Sequence, residues 1–141
     1  MFYIHGRKTN ARGVAILFRK NFDFTVTDVT TDTDGNSLQI QFEAFNMKFN
    51  ILNIYGPNSD NPNFFSGVEK AVLKSAVDYN IICGDFNLVL DPLKDSLNYK
   101  NINNPRSKKK LLEIMANCDL VDIYRIMHPS DKRFIWRKKI L

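Results

Sequence analysis

The chain has 141 residues, 44% of them hydrophobic and 25% charged, an ordinary globular composition that excludes intrinsic disorder as its main character. Twenty Lys and Arg against 15 Asp and Glu leave a modest net charge of +5, so a polyanionic partner is permitted but not required. No apolar run approaches the roughly 18 residues of a membrane span, the polar opening from Met1 to Asn10 lacks the apolar stretch of a secretory leader, and two cysteines make no disulfide framework. These features predict an intracellular domain, or part of one, in which Cys83 and Cys118 are buried free thiols.

The first half reads as strands. Gly13 to Phe18 is a short continuous apolar run, as expected of a strand buried on both faces. Phe24 to Thr31 is rich in Thr and Val, and Asp34-Gly35 supplies a hairpin turn. Leu38, Ile40 and Phe42 then alternate with Gln39, Gln41 and Glu43, the pattern of a strand with one wet face. Asn46 turns the chain into a strand from Lys48 to Tyr55, stopped by Gly56-Pro57. From Asn63 the rhythm changes. Phe64, Phe65, Val68, Val72 and Ala76 recur at helical spacing and predict a helix ending near Tyr79-Asn80. Ile81 to Cys83 is a short buried strand cut off by Gly84. An Asn-rich loop runs from Asp95 to Pro105, and Ser107 is the expected N-cap of a helix carrying Leu111, Leu112, Ile114 and Met115. Leu120 to Ile123 and Arg133 to Arg137 are further strand candidates. No repeat or Gly/Ser linker divides the chain, so a single α+β domain is expected, with helices on a mostly antiparallel sheet.

The strongest chemical signal is Gly84-Asp85-Phe86-Asn87 at the carboxyl end of a buried strand. In extended backbone, residues two apart point to the same side, so Asp85 and Asn87 can address one ligand. A carboxylate can orient or deprotonate water, and an amide can hold a phosphate oxygen or help ligate a hard cation. The same residues are also ordinary turn chemistry. Tyr55 ends another strand, where its hydroxyl can reach a neighbouring strand end or simply lid the core. Asp91 before Pro92 suits a turn, and Asp95 a loop carboxylate held by backbone amides. His5 and His128 read as surface or loop residues, and Glu69 and Glu113 as solvated helix charges. Two basic clusters, Lys108, Lys109 and Lys110 with Arg106, and Arg133 and Arg137 with their neighbours, suit phosphates or equally a solvated face.

Three ordered segments resemble the endonuclease/exonuclease/phosphatase superfamily of DNase I-like nucleases. They are Asn53-Ile-Tyr-Gly-Pro-Asn58, Gly84-Asp-Phe-Asn87 continuing into Leu90-Asp-Pro92, and Asp119-Leu-Val-Asp-Ile-Tyr-Arg125 with His128-Pro129 and Phe134-Ile-Trp136. The third, with Arg12-Gly-Val-Ala-Ile-Leu17, is similar to the endonuclease domain of non-LTR retrotransposon polyproteins. The resemblance implies a four-layer α/β sandwich, of which this chain would be a part, and Mg²⁺-dependent cleavage of DNA phosphodiesters. By position, Asp85 would orient or deprotonate the attacking water. Asn87 would hold the scissile phosphate and assist the metal, and Tyr55 would hydrogen-bond the phosphate or its neighbouring carboxylate. Lys108, Lys109, Lys110, Arg133 and Arg137 would face nucleic acid. A nuclear location follows if that role holds, and no membrane or protein partner is inferred.

The departures from the pattern bear on activity. The family's metal-binding Glu has no counterpart among Glu43, Glu69 and Glu113, no Asp-His pair occurs, and Ile135 replaces a Thr of the last motif. The expectation is an incomplete domain over residues 1–141, lacking parts at both ends and inactive alone. The alternatives are a non-catalytic nucleic-acid-binding remnant and another phosphoesterase of the same superfamily.

Overall fold

Alternating apolar residues and Thr/Val-rich runs build two sheets in the computed structural model of the protein, which describes residues 2–6, 13–96 and 104–132. β1 (Phe2–Gly6) pairs antiparallel with β2 (Gly13–Leu17), and Tyr3 lies opposite Ile16. The second sheet has the order β3 (Thr25–Thr31), β4 (Ser37–Ala44), β5 (Met47–Tyr55) and β6 (Tyr79–Asp85). Its first three strands form the expected antiparallel meander. β6 joins β5 in parallel, because the chain crosses through helix α1 (Pro62–Lys74) before returning. The class is mixed α+β, compatible with part of an α/β sandwich.

The chain forms two compact units, Met1–Gly56 with Lys70–Asn87, and Pro57–Glu69 with Leu88–Leu141. In the first, Val14 and Ile16 of β2 pack with Leu38, Ile40, Phe42 and Ala44 of β4, so the two sheets share one core. Phe18, Phe22 and Phe24 extend it, with Phe18 and Phe24 stacked at 4.2 Å and Phe18 edge-on to Phe42 at 5.3 Å. Full burial of a large apolar side chain contributes roughly 1.5–3 kcal/mol, and the partly buried rings of Phe18, Phe22 and Phe24 contribute less. The expectation that Gly13 to Phe18 is buried on both faces does not hold. Leu17 is 74% exposed, because β2 belongs to a two-stranded sheet with one face on the core.

The expected wet face of β4 is also dry at its centre. Gln39 is buried and Asn50 of β5 fully so. The Gln39 amide donates to Asn50 Oδ1 at 2.9 Å and to the Ala71 carbonyl of α1 at 3.3 Å. The Asn50 amide donates in turn to Asn80 Oδ1 at 2.8 Å, which also accepts from the Ser75 hydroxyl at 2.7 Å. This chain of amides connects β4, β5 and β6 and ties them to the end of α1. It also explains why α1 stops at Lys74 and not near Tyr79-Asn80: Ser75 bonds back to the Val72 carbonyl, and Asp78 bonds the Lys48 main chain, starting β6 early.

The second unit is helical. Phe65 and Val68 of α1 are buried there, as are Leu111 and Ile114 of α3 (Pro105–Asn117). Short helices α2 (Pro92–Asp95) and α4 (Ile123–Met127) flank α3 in sequence. Ser107 is not the N-cap: Asn104 holds that position, and Ser107 lies inside the first turn. Leu120 to Ile123 is not a strand, because Asp122 caps α4 by accepting from the Arg125 N–H. The strand expected at Arg133 to Arg137, with Trp136, falls outside the described residues. Among the described residues no helix is long and apolar enough to cross a membrane.

Candidate functional site

Parallel pairing of β5 and β6 sets Tyr55 directly beside Asp85 in the ladder, at the carboxyl ends of both strands. Neighbouring strands run about 4.8 Å apart, so the main chains of Tyr55 and Asp85 lie side by side at one sheet end. The ring of Tyr55 packs against the core cluster, and Asp85 is exposed.

Beyond the strands the chain turns sharply. Asn87 takes a left-handed backbone (φ 51°), which Asn tolerates better than most residues. Its main-chain N–H donates to Asp85 Oδ1 at 2.9 Å, and its side-chain amide donates to the Gly56 carbonyl at 2.7 Å. The Gly56 N–H donates to the Asp85 carbonyl at 2.7 Å. One carboxylate oxygen of Asp85 is thereby held, and Oδ2 has no partner among the described residues.

Gly84 does not cut the strand off, as expected, but sits inside it. Its φ of 119° is open to glycine, and a Cβ there would lie 2.0 Å from the Ile54 carbonyl oxygen. One step back on β5, the Asn53 amide donates to the Ala15 carbonyl of β2 at 2.8 Å, tying the facing sheet to the same strand end. Tyr55, Asp85 and Asn87 thus come together at one place. A shallow hollow lined by Glu43, Asn46, Met47, Lys48 and Asp78 lies at the other end of β5, roughly 25 Å along the strand.

The basic residues are placed differently. Lys110 pairs with Glu69 at 2.6 Å, and Asn117 also donates to that carboxylate. These bonds hold the Glu69 carboxyl below its usual range and raise the Lys110 ammonium, so Glu69 is a paired residue and not the solvated charge expected. The Lys108 ammonium donates to the Leu90 carbonyl at 2.6 Å, which leaves Lys109 exposed. Arg133 and Arg137 fall outside the described residues.

Asp60 anchors the start of α3, accepting from the N–H groups of Ser107 at 2.8 Å and Arg106 at 3.3 Å and from the Arg106 side chain. Burial would raise its carboxyl, but these hydrogen bonds outweigh burial and bring it to about 2. Asp95 is the last residue of α2 and not the loop residue expected, but its carboxylate does accept a backbone N–H, that of Asp91, and also pairs with Arg125. His128, exposed at the end of α4, stands 3.6 Å from Asp131.

Cys83 is exposed on β6, an edge strand among the described residues, and Cys118 is only half-buried, so the expectation of two buried thiols fails while both remain free. Among the described residues no three of His, Cys, Asp or Glu gather closely enough to hold a metal ion. Asp85 is the carboxylate at this strand end, and Mg²⁺ is commonly held through one or two carboxylates together with water and substrate phosphate.

Reading residue types missed Gly56, Asp60 and Arg125. Gly56 was visible as a strand stop and as a member of the Asn53–Asn58 segment but not as a hydrogen-bonding partner, and nothing in sequence signals that Asp60 meets a helix start 46 residues later.

No family model matches the chain. It is similar to an uncharacterized 149 kDa protein of transposon TX1 from Xenopus laevis, 27% identical over 141 residues. The match covers 96% of this chain and 10% of that protein, so the chain spans about a tenth of the relative's length.

Proposed function

We propose that this chain carries the phosphate-facing part of a phosphodiester-cleaving, endonuclease-type domain of retrotransposon origin. The observation that supports it most is the parallel register of Tyr55 and Asp85, with Asn87 folded back onto both strand ends. Similarity to a transposon protein supports the origin.

In this reading Asp85 Oδ2 holds or deprotonates a water molecule, the part of a general base, and the Tyr55 hydroxyl donates to a phosphate oxygen. The Asp85 carboxylate repels a phosphodiester unless something offsets the charge. That is the work a divalent cation does in such enzymes, and the described residues offer Asp85 as the one carboxylate at this place. The chain alone is therefore expected to leave supercoiled plasmid intact in Mg²⁺.

The test adds what the resemblance says is missing. In a longer polypeptide that carries a metal-binding Glu and an Asp-His pair, plasmid nicking is expected to fall by roughly 10²-fold or more in Asp85→Ala. Nicking that persists in Asp85→Ala overturns the assignment. Binding by the basic cluster alone is the second reading. It is less favoured, because Lys108 and Lys110 are committed to Leu90 and Glu69.

A further inference from the structure

We infer that Gly56 is a positioning residue of this site, the hub on which the Asp85–Asn87 turn is seated; the inference deepens the phosphodiesterase reading and rests on it for its functional meaning. Three contacts converge on this residue. Its N–H donates to the Asp85 carbonyl at 2.7 Å, and its own carbonyl accepts the Asn87 amide at 2.7 Å. Its Cα lies against the Phe86 main chain, where an added Cβ would stand 2.3 Å from the Phe86 oxygen and 2.8 Å from the Phe86 carbonyl carbon. Real Cβ atoms do not approach main-chain atoms that closely, so any side chain at 56 must push the turn away.

All three residues of the turn are therefore fixed by one glycine just past the end of β5. The consequence reaches the carboxylate through a closed ring. Gly56 holds Asp85 by its carbonyl and Asn87 by its side chain, and Asn87 then directs its main-chain N–H at Asp85 Oδ1. That bond occupies Oδ1 and leaves Oδ2 without a hydrogen-bond partner among the described residues. Asn87 thus orients Asp85 through its main chain, while one of the two N–H groups of its side-chain amide is held by Gly56.

The experiment is amide NMR on the complete chain. In the wild type, a through-hydrogen-bond coupling from the Gly56 nitrogen to the Asp85 carbonyl carbon is expected. The Asn87 amide should move with pH as the Asp85 carboxylate protonates, and lose that response in Asp85→Asn. Gly56→Ala should abolish both signals at 85–87 while leaving the amides of β3 and β4 in place. Gly67→Ala, at a helical glycine with open space around it, is the control and should change neither.

If Gly56→Ala fails to fold, the wild-type coupling and the Asp85→Asn comparison decide. An absent Gly56–Asp85 coupling, or an Asn87 amide indifferent to the Asp85 carboxylate, overturns the inference, as does a folded Gly56→Ala protein with both signals intact. These readouts do not use cleavage, so persistent nicking by Asp85→Ala would sink the phosphodiesterase reading and leave the hub standing.

Discussion

Gly84 has the most restrictive backbone among the residues that shape the strand pair. At φ 119° with the Ile54 carbonyl 2.0 Å from any Cβ, it lets β6 lie against β5 up to Asp85. Gly84→Ala meets both strain and a main-chain clash, and a loss on the order of 2–3 kcal/mol is expected. Urea unfolding checks it, and a change within about 0.5 kcal/mol would mean the strand end relaxes freely. The Gly-Asp-x-Asn string singled out an acid and an amide that do meet at one strand end, but its literal geometry was different. Asp85 and Asn87 do not stand two apart on one extended strand: Asn87 leaves the strand by a left-handed turn and bonds back. Sequence spacing cannot report a positive φ at a non-glycine residue, and so the partner of the Asn87 amide, Gly56, was invisible.

Strands were easier to read than their ends and pairings. The alternation of Leu38, Ile40 and Phe42 located β4, and the apolar runs located β2 and β6. Gln39 and Asn50 misled, because a polar residue that finds a partner can sit in the interior. Asn50→Ala leaves the Gln39 amide short of a partner in a dry place, and a cost of roughly 1–3 kcal/mol is expected. Asn50→Ala and Gln39→Ala together should cost less than the sum of the two, which a double-mutant cycle measures.

Helix α3 shows the opposite failure. Its amphipathic core positions, Leu111 and Ile114, were legible, and its cap was not, because the anion comes from Asp60 far away in sequence. The Asp60 carboxyl lies lower in the folded protein than its ordinary 3.8, so its contribution is complete above about pH 4 and is lost as pH falls towards 2. Wild-type melting temperature should fall more steeply than that of Asp60→Asn across this window, as followed by circular dichroism. Parallel curves would contradict the account.

For the molecule as a whole, the α+β class and the strand-end cluster were legible because both follow from local patterns. The division into two units was not, because it depends on contacts between residues distant in sequence. Among the described residues β6 is an edge strand, and Tyr79 and Ile81 are 51% and 44% exposed on it, with Cys83 exposed beside them. From Tyr79 to Cys83 this edge carries none of the charges or prolines that discourage pairing with another chain, and its one charge, Asp85, stands at the strand end. Concentration-dependent association is expected by light scattering, and Ile81→Lys should reduce it.

The central claim is that the ends of β5 and β6 form a phosphodiester-facing site. It is tested most directly by titrating a short DNA duplex into the isotopically labelled chain at low salt and following the amides. Shifts clustered at Tyr55–Gly56 and Gly84–Asn87 are the predicted result. Shifts confined to α3 around Lys109, with the two strand ends silent, would contradict it.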